Sequence, residues 1–168
     1  SKLFAEHGII VAQMLATKQD FENRNHLLNT KNCIDSLFKE KIIPIMNEND
    51  FVCIEELMFT DNDELAGMVS KIISAELLII LSNVDGVYDK DGGVFKYFGH
   101  EDGIPEHILK SGQSSSMGKG GMQNKFKMAQ LAAQNGTQVV IANSKTPDVL
   151  IRVISGEEVG TRFLSKQD

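Results

Sequence analysis

Five consecutive apolar residues, Leu77 to Leu81, constrain the fold of this chain more than any other feature. A strand with one side in water alternates apolar and polar residues, whereas a strand covered by helices on both faces is apolar throughout. Segments with strand-like and helix-like spacing alternate along the rest of the chain. The sequence therefore predicts an α/β fold with a mainly parallel sheet, in one domain without internal repeats.

Apolar periodicity places the other elements. Residues 3–8 have the form of a helix's last turn ending at Gly8, which suggests that further residues precede them. Pro44 is awkward inside a strand, because it lacks the N–H group that a central ladder uses. The predicted strands are residues 9–15, 42–46, 138–142 and 161–164, and the predicted helices are residues 20–40, 63–74, 104–110, 122–135 and 147–155.

Charge and composition argue against several classes of function. The net charge is −6, whereas proteins that bind nucleic acid usually carry a basic face. No apolar run approaches the ~20 residues needed to span a bilayer, and the first residues lack the apolar core of a signal peptide. Cys33, Cys53 and the four histidines have no metal-binding spacing. We expect a cytoplasmic protein with reduced thiols, no nucleic-acid or membrane partner and no metal site built from its side chains.

Two clusters of short polar side chains flank a spacer, Asn47-Glu48-Asn49-Asp50 before it and Asp61-Asn62-Asp63 after it. They follow a predicted strand and precede a predicted helix, so they lie where side chains and unpaired amides can face a ligand. One interpretation is local, because Asn and Asp are favoured in loops and caps, and Asp61 with Glu64 has capping-box spacing. The other is a binding site for a small zwitterionic substrate, since amides can donate to a carboxylate and carboxylates can accept from an amine.

A glycine-rich segment, Gly118 to Lys125, leads directly into a predicted helix. Glycines allow close approach to an anion, and the first helical turn favours negative charge. Lys125 in that turn does not favour the helix itself but suits a bound phosphate. The segment matches neither the Walker nor the dinucleotide spacing, and a surface loop with a solvated lysine is the alternative. Ser82-Asn83-Val84-Asp85 lies at the expected ligand-facing end of a strand, or forms an ordinary Asx turn.

Four segments together resemble the glutamate kinase branch of the amino acid kinase family. They are N-E-N-D at 47–50, D-N-D at 61–63, L-S-N-V-D-G-V-Y at 81–88 and G-K-G-G-M-Q-N-K at 118–125. The likeness also covers F-A-E-H-G-I-I-V-A-Q near the start and V-V-I-A-N-S-K and G-T-R-F near the end, so it spans nearly the whole chain. The resemblance implies a three-layer αβα sandwich around a mainly parallel sheet.

The same resemblance implies transfer of the γ-phosphoryl group of ATP to the γ-carboxylate of L-glutamate, the first step of proline biosynthesis. Mg²⁺ would accompany the nucleotide. The substrate carboxylate is already a nucleophile, so the reaction asks for alignment and charge neutralisation rather than a general base. By the family's pattern, Asp63 would order the catalytic lysines and Lys125 would stabilise the transferring group. The resemblance also implies that Asp50 and Asn62 hold glutamate, with Asn47 and Asp61 nearby. The residues that it implies around ATP are Ser82, Asn83, Asp85, Lys119, Gly120, Gly121, Met122, Gln123, Asn124 and Lys125.

Some positions depart from the family's pattern. Lys119 stands where threonine is usual, Gln123-Asn124 replaces a pair of small hydroxyl residues, and Asn83 replaces an aspartate. The loop at 91–95 lacks the usual D-P-R step. These departures concern the details of nucleotide contact more than the reaction itself.

The resemblance also implies parts outside this sequence. The family's first strand, with its lysine and glycine-rich turn, and a serine-glycine substrate loop would precede Ser1, so we expect residues 1–168 alone to be inactive. An RNA-binding-like accessory domain, which some members carry, is not expected here, and a homodimer or homotetramer is. The alternatives are a kinase of the same fold acting on UMP, aspartate or acetylglutamate, and a non-catalytic binder of small molecules.

Overall fold

The computed structural model describes residues 2–51, 58–111 and 121–166. The chain divides into two compact units, Ser1–Ile73 and Ser74–Asp168. Within the described residues, no helix is both long and apolar enough to cross a membrane.

The first unit is built on two parallel strands, β1 and β2, which pair from Val11 opposite Ile43 to Ala16 opposite Glu48. The core on one side of these strands contains Ala16, Phe59 and Leu65, all buried. On the other side, Ile43 and Ile45 are 47% and 43% exposed. The elements of this unit are α1 (Lys2–Ala5), β1 (Val11–Ala16), α2 (Gln19–Glu22), α3 (Arg24–Lys39), β2 (Ile43–Glu48) and α4 (Asn62–Ile72).

The single helix predicted for residues 20–40 is wrong, because the structure has two helices there. Asn23 separates them with an extended backbone (φ −87°, ψ 126°), and its side chain accepts from the N–H groups of Asn25 and His26. An asparagine in that conformation caps the helix that follows it. The apolar spacing of α3 runs on into α2, so periodicity alone does not reveal the break.

The second unit contains a four-stranded sheet in the order β3-β5-β6-β4. β3 pairs with β5 and β4 with β6 in parallel, whereas β5 and β6 are antiparallel. With the parallel pair of the first unit, this confirms the predicted α/β class with mainly parallel strands. The elements are β3 (Leu77–Ser82), β4 (Tyr97–Phe98), α5 (Glu106–Ser111), α6 (Gly121–Gln134), β5 (Gln138–Asn143), α7 (Val149–Ile154) and β6 (Thr161–Phe163).

β5 is the more deeply buried strand, while β3 packs with less burial against the same cores on both faces of the sheet. Val139 and Ile141 of β5 pack in the core that contains Phe126 of α6, and Val140 and Ala142 pack on the opposite face with α7. In β3, Ile80 is buried but Leu81 is 43% exposed. The apolar run at 77–81 therefore predicted the right class of sheet, although β3 lies at one end of the strand order.

Candidate functional site

The two polar clusters of the first unit lie at the end of β2 and the start of α4, as their sequence positions predict. A carboxylate oxygen of Glu48 accepts from the N–H of Phe59 at 2.8 Å, two residues before Asp61. Met46 of β2 also packs against the core that contains Leu65 of α4. Both contacts bring the clusters into one region of the unit.

Asp61 caps α4. Its Oδ1 accepts from the N–H groups of Asp63 at 3.1 Å and Glu64 at 3.0 Å. The predicted capping box is present in altered form, because Glu64 accepts from the N–H of Thr60 at 2.7 Å rather than from the cap residue itself. For Asp61, the local interpretation of the cluster is therefore confirmed.

Glu64 is held by a cation as well as by the backbone. Its Oε1 lies 2.9 Å from the ammonium of Lys18. Burial acts to raise the pKa of Glu64, but the Thr60 hydrogen bonds and Lys18 outweigh it, so that the pKa lies below its usual 4.5. Lys18 stands 46 residues from Glu64 along the chain, so no local signal in the sequence indicates that the two residues pair.

The side chains of Asn47, Asp50 and Asn62 are exposed, and that of Asp63 is partly buried in the first turn of α4. Amide and carboxylate groups thus face solvent beside the N-terminus of a helix, which favours negative charge. Such a surface can donate to a carboxylate and accept from an ammonium group.

In the second unit, polar residues gather at the carboxyl ends of the neighbouring parallel strands β3 and β5. Ser82 ends β3 and is buried, while Asn83 and Asp85 in the following loop are exposed. The N–H of Ser144, just after β5, donates to the carbonyl of Ser82 at 2.8 Å. Ligands of open α/β sheets bind outside this edge of the strands.

The carboxylate of Asp85 joins the two loops. Its Oδ1 accepts from the side-chain amide of Asn143 at 2.7 Å, and its Oδ2 accepts from the hydroxyl of Tyr88 at 3.1 Å. Sequence reasoning predicted Asp85 but neither partner. Tyr88 belongs to the V-D-G-V-Y segment, and Asn143 directly follows the strand predicted at residues 138–142; those positions were the available signals.

The N-terminus of α6 lies toward the same edge. α6 ends at Gln134, turns through Gly136 (φ 93°) and enters β5 at Gln138. Because so short a turn joins α6 to β5 and the helix packs against that strand, α6 runs antiparallel to β5. A 14-residue helix and a six-residue strand are each about 20 Å long. The first turns of α6 therefore reach the carboxyl end of β5.

Five of the predicted phosphate-binding residues, Gly121 to Lys125, form these first turns. Lys125 is partly buried next to Phe126, which is fully buried in the core. The predicted residues Lys119 and Gly120 lie outside the described part of the chain. Helix N–H groups, a helix dipole and a lysine together are suited to a phosphate group.

Comparisons with known proteins agree with this architecture. The model of the amino acid kinase family matches residues 1–143. A protein of Bacteroides thetaiotaomicron named glutamate 5-kinase is 42% identical over 97% of this chain and 47% of its own length. Glutamate 5-kinases of Methanosarcina barkeri and Clostridium acetobutylicum are 41% and 39% identical, over 45% and 64% of their own lengths. The chain thus spans about half the length of most of these relatives.

Solved structures support the fold. An isopentenyl phosphate kinase from T. acidophilum matches 96% of this chain, and the chain covers 63% of that structure, with a TM-score of 0.65 and 10% identity. A UMP kinase from Ureaplasma parvum matches 98% of the chain and is covered over 61% of its length, with a TM-score of 0.60 and 12% identity. At such low identity the likeness concerns the fold alone.

Proposed function

The chain belongs to the amino acid kinase family, and from that membership we propose that it is part of a glutamate 5-kinase. The proposed reaction moves the γ-phosphoryl group of ATP to the γ-carboxylate of L-glutamate and gives L-glutamyl 5-phosphate, the first step of proline biosynthesis. The observation that carries the proposal is the identity of about 40% to proteins of that name along 97% or more of the chain. The proposed compartment is the cytoplasm, and the proposed assembly is a homodimer or homotetramer.

The first unit is the proposed glutamate side. Asp50 and Asn62 would hold the amino acid, with Asn47 beside them, because an ammonium group needs acceptors and a carboxylate needs donors. Their exposure at the end of β2 and the start of α4 supports these roles. Asp61 would act mainly through the cap that fixes the first turn of α4.

The second unit is the proposed nucleotide side. Ser82, Asn83 and Asp85 would face ATP at the edge of the sheet, and residues 119–125 would surround its phosphates. The antiparallel packing of α6 on β5 supports this role, because it brings the helix N-terminus to the edge where β3 and β5 end.

Asp63 and Lys125 are the proposed catalytic residues. Phosphoryl transfer requires the protein to align the groups and to neutralise charge on the transferring oxygens. Lys125 supplies positive charge at the start of α6, and Asp63 is the carboxylate proposed to order the lysines.

Mg²⁺ is the proposed companion of ATP. Within the described residues, no group of three or more His, Cys, Asp or Glu side chains is arranged to hold a metal ion. Mg²⁺ is commonly bound through nucleotide phosphates, one or two carboxylates and waters rather than by a protein cage, so the proposal does not require such a cage. The ion would neutralise charge on the phosphates.

The test is a coupled assay for ADP release by the full-length gene product with a panel of acceptors. We expect turnover with L-glutamate and none above background with L-aspartate, N-acetylglutamate or UMP. Turnover with another acceptor alone would replace glutamate in the proposal. Binding of ATP without turnover on any acceptor would favour a non-catalytic binder.

A further inference from the structure

Asn143 lies where the ends of β3 and β5 meet, and none of the proposed roles involves it. It is the last residue of β5, and its neighbour across the parallel pair is Ser82, the last residue of β3. Its side-chain amide reaches past Ser82 to the carboxylate of Asp85, 2.7 Å away and 58 residues earlier in the chain.

The orientation of the Asn143 amide is fixed. Its Oδ1 accepts from the N–H of Lys145 at 2.9 Å, so the NH₂ group faces Asp85. An asparagine side chain offers donors only from its nitrogen and acceptors only from its oxygen. Turning the amide over would break both bonds, and Asn143 therefore presents its donor side to Asp85.

The carboxylate of Asp85 is held from its other oxygen as well. The Tyr88 hydroxyl donates to Oδ2 at 3.1 Å and lies 3.3 Å from the N–H of Asp85, from which it accepts. Each carboxylate oxygen has about two acceptor positions, and the described part of the chain fills one on each oxygen through Asn143 and Tyr88. Both loops that meet at the edge of β3 and β5 are thereby joined at a single charged group.

We propose that Asn143 is a positioning residue of the nucleotide site and acts through Asp85. This inference rests on the proposed function, in which Asp85 faces ATP at the edge of the sheet. Hydroxyl and amino groups of the nucleotide are donors, and they need a carboxylate aimed at them. Asn143 fixes the orientation of the Asp85 carboxylate by donating to one of its oxygens, and the Tyr88 hydroxyl donates to the other.

The experiment compares five versions of the full-length gene product by steady-state kinetics: the parent, Asn143→Asp, Asp85→Asn, the double variant and a control. Asn143→Asp replaces the donor with a second carboxylate against Asp85, and we expect KM for ATP to rise about tenfold, the effect of a charge-assisted bond of ordinary strength. We expect kcat and KM for glutamate to stay within about threefold, because Asn143 touches neither the transferring group nor the acceptor.

The decisive comparison sets the double variant, Asp85→Asn with Asn143→Asp, against Asp85→Asn alone. Asp85→Asn removes the carboxylate that faces the nucleotide and accepts from Asn143 at 2.7 Å, so KM for ATP should rise in both variants. Because Asn143 acts through Asp85, adding Asn143→Asp should raise KM by no more than about a further threefold, the non-additivity that double-variant cycles detect for groups in contact. The matched control is Asn135→Asp, the same substitution after the opposite end of α6, where the side chain donates to the carbonyl of Leu131.

Three outcomes would overturn the inference. They are an unchanged KM for ATP in Asn143→Asp, a further rise of about tenfold when Asn143→Asp is added to Asp85→Asn, and an equal rise in the Michaelis constants for ATP and glutamate. Calorimetric titration of the same proteins with ATP separates this inference from the proposed function. ATP affinity that falls in Asn143→Asp but falls no further when that substitution is added to Asp85→Asn, without glutamate-dependent turnover by the parent, would retain the role of Asn143 and reject the glutamate kinase. A parent that binds no ATP would reject both.

Discussion

The polar groups of the two units are used differently. At the start of α4, Asp61 and Glu64 bond to backbone N–H groups two to four residues away, while Asn47, Asp50 and Asn62 stay exposed. At the edge of β3 and β5, Asp85 instead bonds to Asn143, 58 residues later. The helix start in the first region is therefore shaped largely by local capping, with Lys18 as a distant partner of Glu64, whereas the second region depends on a contact between the loops after two strands. With the proposed roles, we expect substitutions in the first region to change kcat, KM for glutamate or stability. We expect substitutions in the second region to change KM for ATP.

The largest expected effect comes from Asp63→Ala in the full-length gene product. Loss of one electrostatic element of a phosphoryl-transfer site lowers kcat by about 10²-fold or more. Asp35→Ala on α3, whose carboxylate pairs with Lys31 at 2.9 Å, is the matched control and should leave kcat unchanged. Near-normal turnover by Asp63→Ala in a folded enzyme would remove Asp63 from the mechanism.

Asp50→Ala tests the division between the two regions directly. We expect KM for glutamate to rise by about tenfold, because binding shared by the ground and transition states is lost. KM for ATP, measured in the same protein, should not change. A rise in KM for ATP alone would assign Asp50 to the nucleotide side instead. No change in KM for either substrate would exclude Asp50 from the substrate site.

Asp61→Ala sharpens the local part of the comparison. Removal of an N-cap side chain costs about 0.5–2 kcal/mol of stability, and urea unfolding of the purified protein measures it. Asp61→Asn is the matched variant, because asparagine caps a helix nearly as well as aspartate. Equal losses in the two variants would show that the charge of Asp61, rather than its cap, matters.

The smallest expected effect concerns Glu64 and pH. Its folded pKa lies below 4.5 because the hydrogen bonds from Thr60 and the ammonium of Lys18 outweigh its burial. The stabilisation is therefore complete above pH 4.5 and is lost as pH falls through the lowered pKa. Glu64→Gln should cost less than about 1 kcal/mol of unfolding free energy at pH 7, and the cost should shrink at pH 3.5. A cost that grew on acidification would contradict the assignment.

Local signals were sufficient to predict much of the fold. The spacing of Asp61 and Glu64 identified the start of α4, and Gly136, with φ 93°, ends α6 where its periodicity stops. The break between α2 and α3 at Asn23 was missed because the apolar spacing continues across it. β4 was missed because two residues, Tyr97 and Phe98, show no period at all.

The long-range contacts could not be predicted in the same way. Nothing near Asn143 in the sequence indicates Asp85 as its partner, because strand pairing sets which loops meet. The same holds for Lys18 and Glu64. The sequence pattern therefore identified chemistry-bearing residues at the ends of elements, while the folded chain determines which of them touch.

The most direct test of the central claim is to trap the product with hydroxylamine, which converts an acyl phosphate to a hydroxamate. With ATP, Mg²⁺ and L-glutamate, the full-length gene product should yield γ-glutamyl hydroxamate and ADP in equal amounts. ADP without hydroxamate, or hydroxamate formed from another acid at a higher rate, would contradict the assignment.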